Sequence, residues 1–158
     1  MNILVLCTGN SARSILLESL LNKLGGGQIT AYSAGSRPAG RVHPEAIALL
    51  QAEGFDTVGL RSKSWDEFGA ADAPQMDLVV TVCGSAAGEE CPIWPGEPMR
   101  AHWGIDDPAA GPGPEQRAAF QTAFAILSRK ATRFIDQSPA TLSGSELQCV
   151  ANLIGDVN

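Results

Sequence analysis

This sequence of 158 residues has no basic stripe, no apolar run of membrane length and no metal-spaced pair of ligands. Its 11 lysines and arginines are outnumbered by 17 aspartates and glutamates, for a net charge of -6. Nucleic acid and anionic membranes are therefore not expected partners, because neither would meet a complementary field. The apolar residues 2–6 run into a polar loop too soon for a membrane span, and no basic flank marks them as a signal peptide. A cytoplasmic protein is expected, and there cysteines stay reduced. The four cysteines accordingly read as catalytic or redox-active and not as disulfide staples. Zinc at Cys83, Cys91 and His102 would want a Cys-x2-Cys or His-x3-His spacing that is missing. Internal repeats, low-complexity segments and linkers are missing too. One domain is expected, long enough to bury about two-thirds of its unfolded surface. Residues 1–138 read as a single catalytic α/β domain and residues 139–158 as a tail, in which Leu147 to Ile154 is a candidate short helix.

What is present is concentrated near the start. Cys7-Thr8-Gly9-Asn10-Ser11-Ala12-Arg13-Ser14 follows an apolar strand and precedes the helical stretch Ile15 to Leu24. A loop that enters a helix aims backbone N–H groups and the positive end of the helix dipole at one point. Arg13 adds a planar, permanently charged fork that matches the oxygens of phosphate or an analogue. The same positive surroundings favour thiolate at Cys7. Nucleophile and anion clamp thus come from one segment.

The remaining pattern alternates strand and helix. Leu17, Leu20, Leu21 and Leu24 line one helical face, stopped by three glycines; Ile29 to Ser33 reads as a strand; His43-Pro44-Glu45 opens a helix through about residue 53. A short helix is expected near Ser64 to Phe68, strands at residues 77–83 and 99–103, and a long helix from Glu115 to about Asp136, with loops at residues 84–90 and 104–114. A β-α-β-α start implies a parallel sheet with right-handed crossovers.

The Cys-x5-Arg-Ser pattern after a strand resembles the phosphate-binding loop of the low-molecular-weight protein tyrosine phosphatases and of the arsenate reductases that share their fold. That resemblance implies a three-layer α/β/α fold with a four-stranded parallel sheet. It assigns oxyanion binding and loop support to Thr8, Gly9, Asn10, Ser11, Ala12 and Ser14, with Asn10 holding the loop's backbone shape and the Ser14 hydroxyl bonding the thiolate.

If the first strand and the strand of residues 78–82 are neighbours, their carboxyl ends open on one crevice and Cys83 comes within disulfide reach of Cys7. Cys91 lies eight residues on, across a segment with two glycines. The Val-Thr-Val-Cys-x7-Cys-Pro segment, followed by His102-Trp103-Gly104-Ile105-Asp106-Asp107-Pro108, is similar to the thioredoxin-coupled arsenate reductases over about residues 2–136. The implied function is reduction of arsenate to arsenite. Cys7 attacks, Cys83 and Cys91 relay the disulfide, Arg13 binds the anion and Asp107, immediately before proline, is the general acid. A thioredoxin- or glutaredoxin-type reductant is the implied partner, no cofactor is needed, and a monomer is expected. Some members bind potassium through residues matching Asn10, Glu18 and Ser33 plus an acid. Lys63 stands near that acid's place here, so no metal is expected. Cys149 matches no family role and reads as a small buried residue. Two alternatives remain: a phosphotyrosine phosphatase, which needs only Cys7, Arg13 and Asp107, and a non-catalytic oxyanion or redox sensor. Against the phosphatase stands Ala109-Ala110-Gly111, where aromatic residues would be wanted to grip a phenyl ring.

Overall fold

The computed structural model of the chain describes residues 1–88 and 94–157. Strand β1 (Asn2–Cys7) lies between β2 (Thr30–Gly35) and β3 (Leu78–Thr81), and β4 (Met99–His102) forms the edge beside β3. Every pairing is parallel, and the registers Cys7↔Gly35 and Leu6↔Thr81 fix which residues meet at the carboxyl ends. A strand with both faces covered has to be apolar throughout, and Ile3, Leu4, Val5 and Leu6 are fully buried.

Alternation along β1 divides the core. Ile3, Val5 and Cys7 face the larger cluster, made with α1 (Arg13–Leu24), α2 (Pro44–Ala52), α4 (Gly113–Ile135) and α5 (Gly144–Gly155). Leu4 and Leu6 face a smaller one with Ala34, Phe68, Met76, Val79 and Trp94, covered in part by a 3-10 turn at Trp65–Gly69. A further short helix, α3 (Gly84–Gly88), follows β3. Among the described residues no helix is long and apolar enough to cross a membrane.

Three segments differ from the sequence expectation, each for a local reason. Residues 84–88 are helical rather than a loop because Cys83 Sγ accepts the Ala86 amide at 3.4 Å, filling the role of a capping side chain. α4 starts two residues early, since a proline at the second helical position, Pro114, gives up no hydrogen bond in the first turn. α5 is longer than expected because Ser143 and Glu146 form a capping box, with Glu146 Oε2 accepting from the Ser143 amide at 2.9 Å and its hydroxyl at 2.7 Å. That cap sets the phase of α5. Leu147, Ala151 and Ile154 face inward, so Cys149 is exposed and not buried as expected. Trp103 Nε1 donates to the Ala151 carbonyl at 2.8 Å and Lys130 donates to the carbonyls of Ile154, Gly155 and Val157, pinning α5 to β4 and α4.

Candidate active site

The loop between β1 and α1 is held with its carbonyls turned outward. Thr8 O accepts from the Arg37 amide at 3.0 Å, Gly9 O from the Ala39 amide at 2.8 Å and the Ser62 hydroxyl at 3.2 Å, and Ser11 O from the His43 amide at 2.9 Å. With the carbonyls engaged outside the loop, the amides are left as its unused polar groups. Those of Asn10, Ser11 and Ala12 meet no acceptor among the described residues. α1 starts at Arg13 with no side-chain cap on Ala12, which leaves its first-turn N–H groups free at the same point. An anion is what such a ring lacks.

Asn10 sits at the turn of the loop with φ 42, a left-handed conformation that asparagine tolerates better than most residues. It is fully buried and fully used. Its Nδ2 donates to Ser14 Oγ at 2.9 Å and to Ser33 Oγ at 2.8 Å, and its Oδ1 accepts from the Lys63 amide at 2.8 Å. The Ser14 hydroxyl is thus an acceptor for Asn10, and it makes no hydrogen bond to Cys7 among the described residues, unlike the expected arrangement. Gly35, the last residue of β2, packs directly against the loop. A Cβ there would lie 2.5 Å from Thr8 O and 3.0 Å from Asn10 Cβ. Ser62 and His43 were missed in the sequence; their hydrogen bonds to the loop carbonyls leave no pattern in the chain.

Cys7 and Cys83 are 5 % and 3 % exposed and both are free thiols. The neighbouring β1 and β3 ends bring them together, as the sheet order required. The two thiols share a hydrogen bond and shift in opposite directions. The Cys83 thiol is pushed down to about 5, first by the hydrogen bond it accepts from Cys7, against its own burial, with Thr8 Oγ1 at 3.6 Å and the Ala86 amide adding to the effect. Cys7 is raised above the ordinary thiol range by that same hydrogen bond and then by burial, opposed by the Arg13 charge. Cys7 and Cys83 therefore titrate as one coupled pair, in which the Arg13 charge favours the thiolate that the sequence leads one to expect at Cys7.

Arg13 faces the same centre. Its Nη1 donates to the Ile105 carbonyl at 3.1 Å, its Nη2 lies 3.3 Å from Asp107 Oδ2, and its buried Nε has no partner among the described residues. An oxyanion in the amide ring fits that open donor. Asp107 is placed by its own turn: Oδ1 accepts the Ala109 amide at 3.1 Å, the adjoining Pro108 is buried, and the Ile105 amide ties the segment to the Val82 carbonyl at 3.2 Å. Asp106 is exposed like Asp107 but makes no such contact among the described residues. Cys91 lies outside the described residues.

The residues do not fit a bound potassium ion. Glu18, Ser33 and Asn10 are joined, but the buried Lys63 ammonium already faces Glu18, 4.0 Å from its Oε1. No group of three or more His, Cys, Asp or Glu gathers elsewhere among the described residues.

Comparison with known proteins agrees with this geometry. The curated arsenate reductase of Bacillus subtilis is 38% identical over 133 residues, which span 83% of this chain and 92% of that protein. A solved arsenate reductase in its phosphate-binding state superposes with a TM-score of 0.69 at 28% identity, covering 86% of this chain and 97% of that one. The tyrosine phosphatase Wzb from Escherichia coli K30, solved with sulphate, gives a TM-score of 0.67 at 28% identity, covering 87% and 97%. Residues 2–144 match the family described as low molecular weight phosphotyrosine protein phosphatase. The chain belongs to that family, in the company of its bacterial arsenate reductases.

Proposed function

We propose that this chain reduces arsenate to arsenite through its own cysteines, with arsenate held in the ring of loop amides and by Arg13. The observation that carries the reading is the second thiol: Cys83 lies beside Cys7, where phosphate transfer alone would need no cysteine. As Cys7 attacks arsenic, its proton passes to Cys83, and Asp107 protonates the departing hydroxyl so that water leaves. The product is a Cys7 S–As(V) adduct. Cys83 then attacks Cys7 Sγ and releases its proton to an arsenic-bound oxygen. The S–As electron pair stays with arsenic, which becomes trivalent and leaves as arsenite, and a Cys7–Cys83 disulfide remains.

Cys91 attacks Cys83 Sγ, freeing Cys7 and leaving Cys83–Cys91 for an external dithiol of the thioredoxin or glutaredoxin type. The Cys83-x7-Cys91-Pro92 spacing supports this step. Thr8 and the Ala86 amide support the Cys83 thiolate that the second attack requires. Ala109 and Ala110 beside the acid leave the pocket without the aromatic walls a phosphotyrosine ring would want, which favours a bare oxyanion. Arsenite formation with thioredoxin, thioredoxin reductase and NADPH tests the proposal. Turnover is expected in wild type and none in Cys7→Ser, Cys83→Ser or Cys91→Ser. Aryl phosphate cleavage without arsenate turnover, with Cys83 and Cys91 dispensable, would make the protein a phosphatase.

A further inference from the structure

Lys63 is 9 % exposed, a burial that lysine tolerates only with partners, and its main chain reaches the loop directly. Its amide donates to Asn10 Oδ1 at 2.8 Å and its carbonyl accepts the Gly35 amide at 2.9 Å. Its ammonium donates to the Arg61 carbonyl at 3.3 Å and lies 4.0 Å from Glu18 Oε1. The other oxygen of Glu18 accepts from Ser33 Oγ at 2.5 Å, and Ser33 Oγ accepts from Asn10 Nδ2 at 2.8 Å. These contacts close a ring that leaves Lys63 by its main chain and returns to its side chain.

The ring has a direction. A serine hydroxyl has one proton; Ser33 spends it on Glu18, so it can only accept from Asn10, and this turns the Asn10 amide with Nδ2 toward Ser33 and Oδ1 toward Lys63. An ionised Glu18 is what keeps the Ser33 proton pointing that way. A buried carboxylate stays ionised only beside a cation, and the Lys63 ammonium is the buried one that faces it. Burial raises Glu18 and lowers Lys63, and each opposes the shift of the other.

We propose that Lys63 is a positioning residue acting as a tethered cation for the oxyanion loop. It holds Glu18 charged, Glu18 orients Ser33, and Ser33 with the Lys63 amide fixes Asn10 at φ 42, so the loop's anion-binding shape needs no monovalent metal ion. This rests on reading residues 7–14 as an oxyanion loop.

Calorimetric titration with inorganic phosphate tests it, using wild type, Lys63→Met and the Glu18→Gln/Lys63→Met pair in potassium chloride and in tetramethylammonium chloride of equal ionic strength. Wild type is expected to bind equally in both salts. Lys63→Met is expected to bind roughly tenfold more weakly in tetramethylammonium, the scale of a lost supporting contact, and to recover in potassium, which can occupy the space beside an orphaned Glu18. The double variant leaves no unpaired buried charge, so it is expected to fold even if Lys63→Met does not, to bind weakly and to gain nothing from potassium. Potassium-dependent binding in wild type, or wild-type affinity in either variant in both salts, overturns the proposal. Absence of phosphate binding by wild type in either salt removes the loop reading itself, and the role of Lys63 with it.

Discussion

Asp107 Oδ2 lies 3.3 Å from Arg13 Nη2, so the proposed acid is held by the guanidinium proposed to grip the oxyanion. On the proposed mechanism an arriving anion competes with Asp107 for that charge, which frees the carboxyl to face the leaving oxygen. Asp107→Asn should lower kcat by about 10²–10⁴-fold, the range for loss of a general acid, while phosphate binding is retained or strengthened because Arg13 loses a competitor. Steady-state kinetics and phosphate calorimetry on the one variant check both halves.

Cys7 and Cys83 are coupled through a hydrogen bond, and their shifts have opposite signs. The depressed Cys83 contributes stability in full above the ordinary thiol range and loses it as pH falls through about 5. The raised Cys7 contributes in full below the ordinary range and loses it as pH rises through its elevated value. Ultraviolet thiolate absorbance at neutral pH should therefore show one thiolate from the pair. Cys83→Ala removes that signal and lowers the Cys7 midpoint relative to wild type, since its largest raising cause is gone. Cys7→Ala moves Cys83 up from about 5. A thiolate signal unchanged by Cys83→Ala would place the charge on Cys7.

Gly35 lies against the loop so closely that even a methyl group has no room, with Thr8 O only 2.5 Å from where a Cβ would stand. Gly35→Ala should displace the Thr8 and Asn10 backbone and reduce kcat/KM for arsenate by at least about 10²-fold, as expected for an ångström-scale misplacement of reacting groups. Circular dichroism should remain that of a folded α/β protein.

Lys130 is 3 % exposed and caps the carboxyl end of α5 through three carbonyls. Lys130→Met keeps the apolar stem and removes the donors, which should cost about 1–3 kcal/mol in urea unfolding. Amide exchange should quicken in α5 before it does in β1.

The sheet and the loop were legible because both are written in short-range pattern: an all-apolar β1, and Cys7 to Ser14 between strand and helix. The nearness of Cys7 and Cys83 was legible only on the condition that their strands are neighbours, and the order β2-β1-β3-β4 meets that condition. Contacts that depend on phase or on distant main chain were not legible. Cys149 appeared buried by composition, yet the Ser143–Glu146 cap turns it outward. The lowering of the Cys83 thiol comes first from the Cys7 hydrogen bond and then from Thr8 and the Ala86 amide, and that amide is in place because residues 84–88 fold into a helical turn. Gly35 carries a signal in principle, a glycine ending a strand beside the central one, but its meaning needs the Cys7↔Gly35 register.

The central claim is that electrons reach arsenic from the Cys7 and Cys83 thiols, and single turnover tests it most directly. Reduced Cys91→Ser protein, mixed with one equivalent of arsenate and no external thiol, should release arsenite and yield a Cys7–Cys83 disulfide by peptide mass spectrometry. Cys83→Ser should release none. Both thiols remaining reduced with arsenate unchanged, although phosphate still binds the loop, would contradict the account.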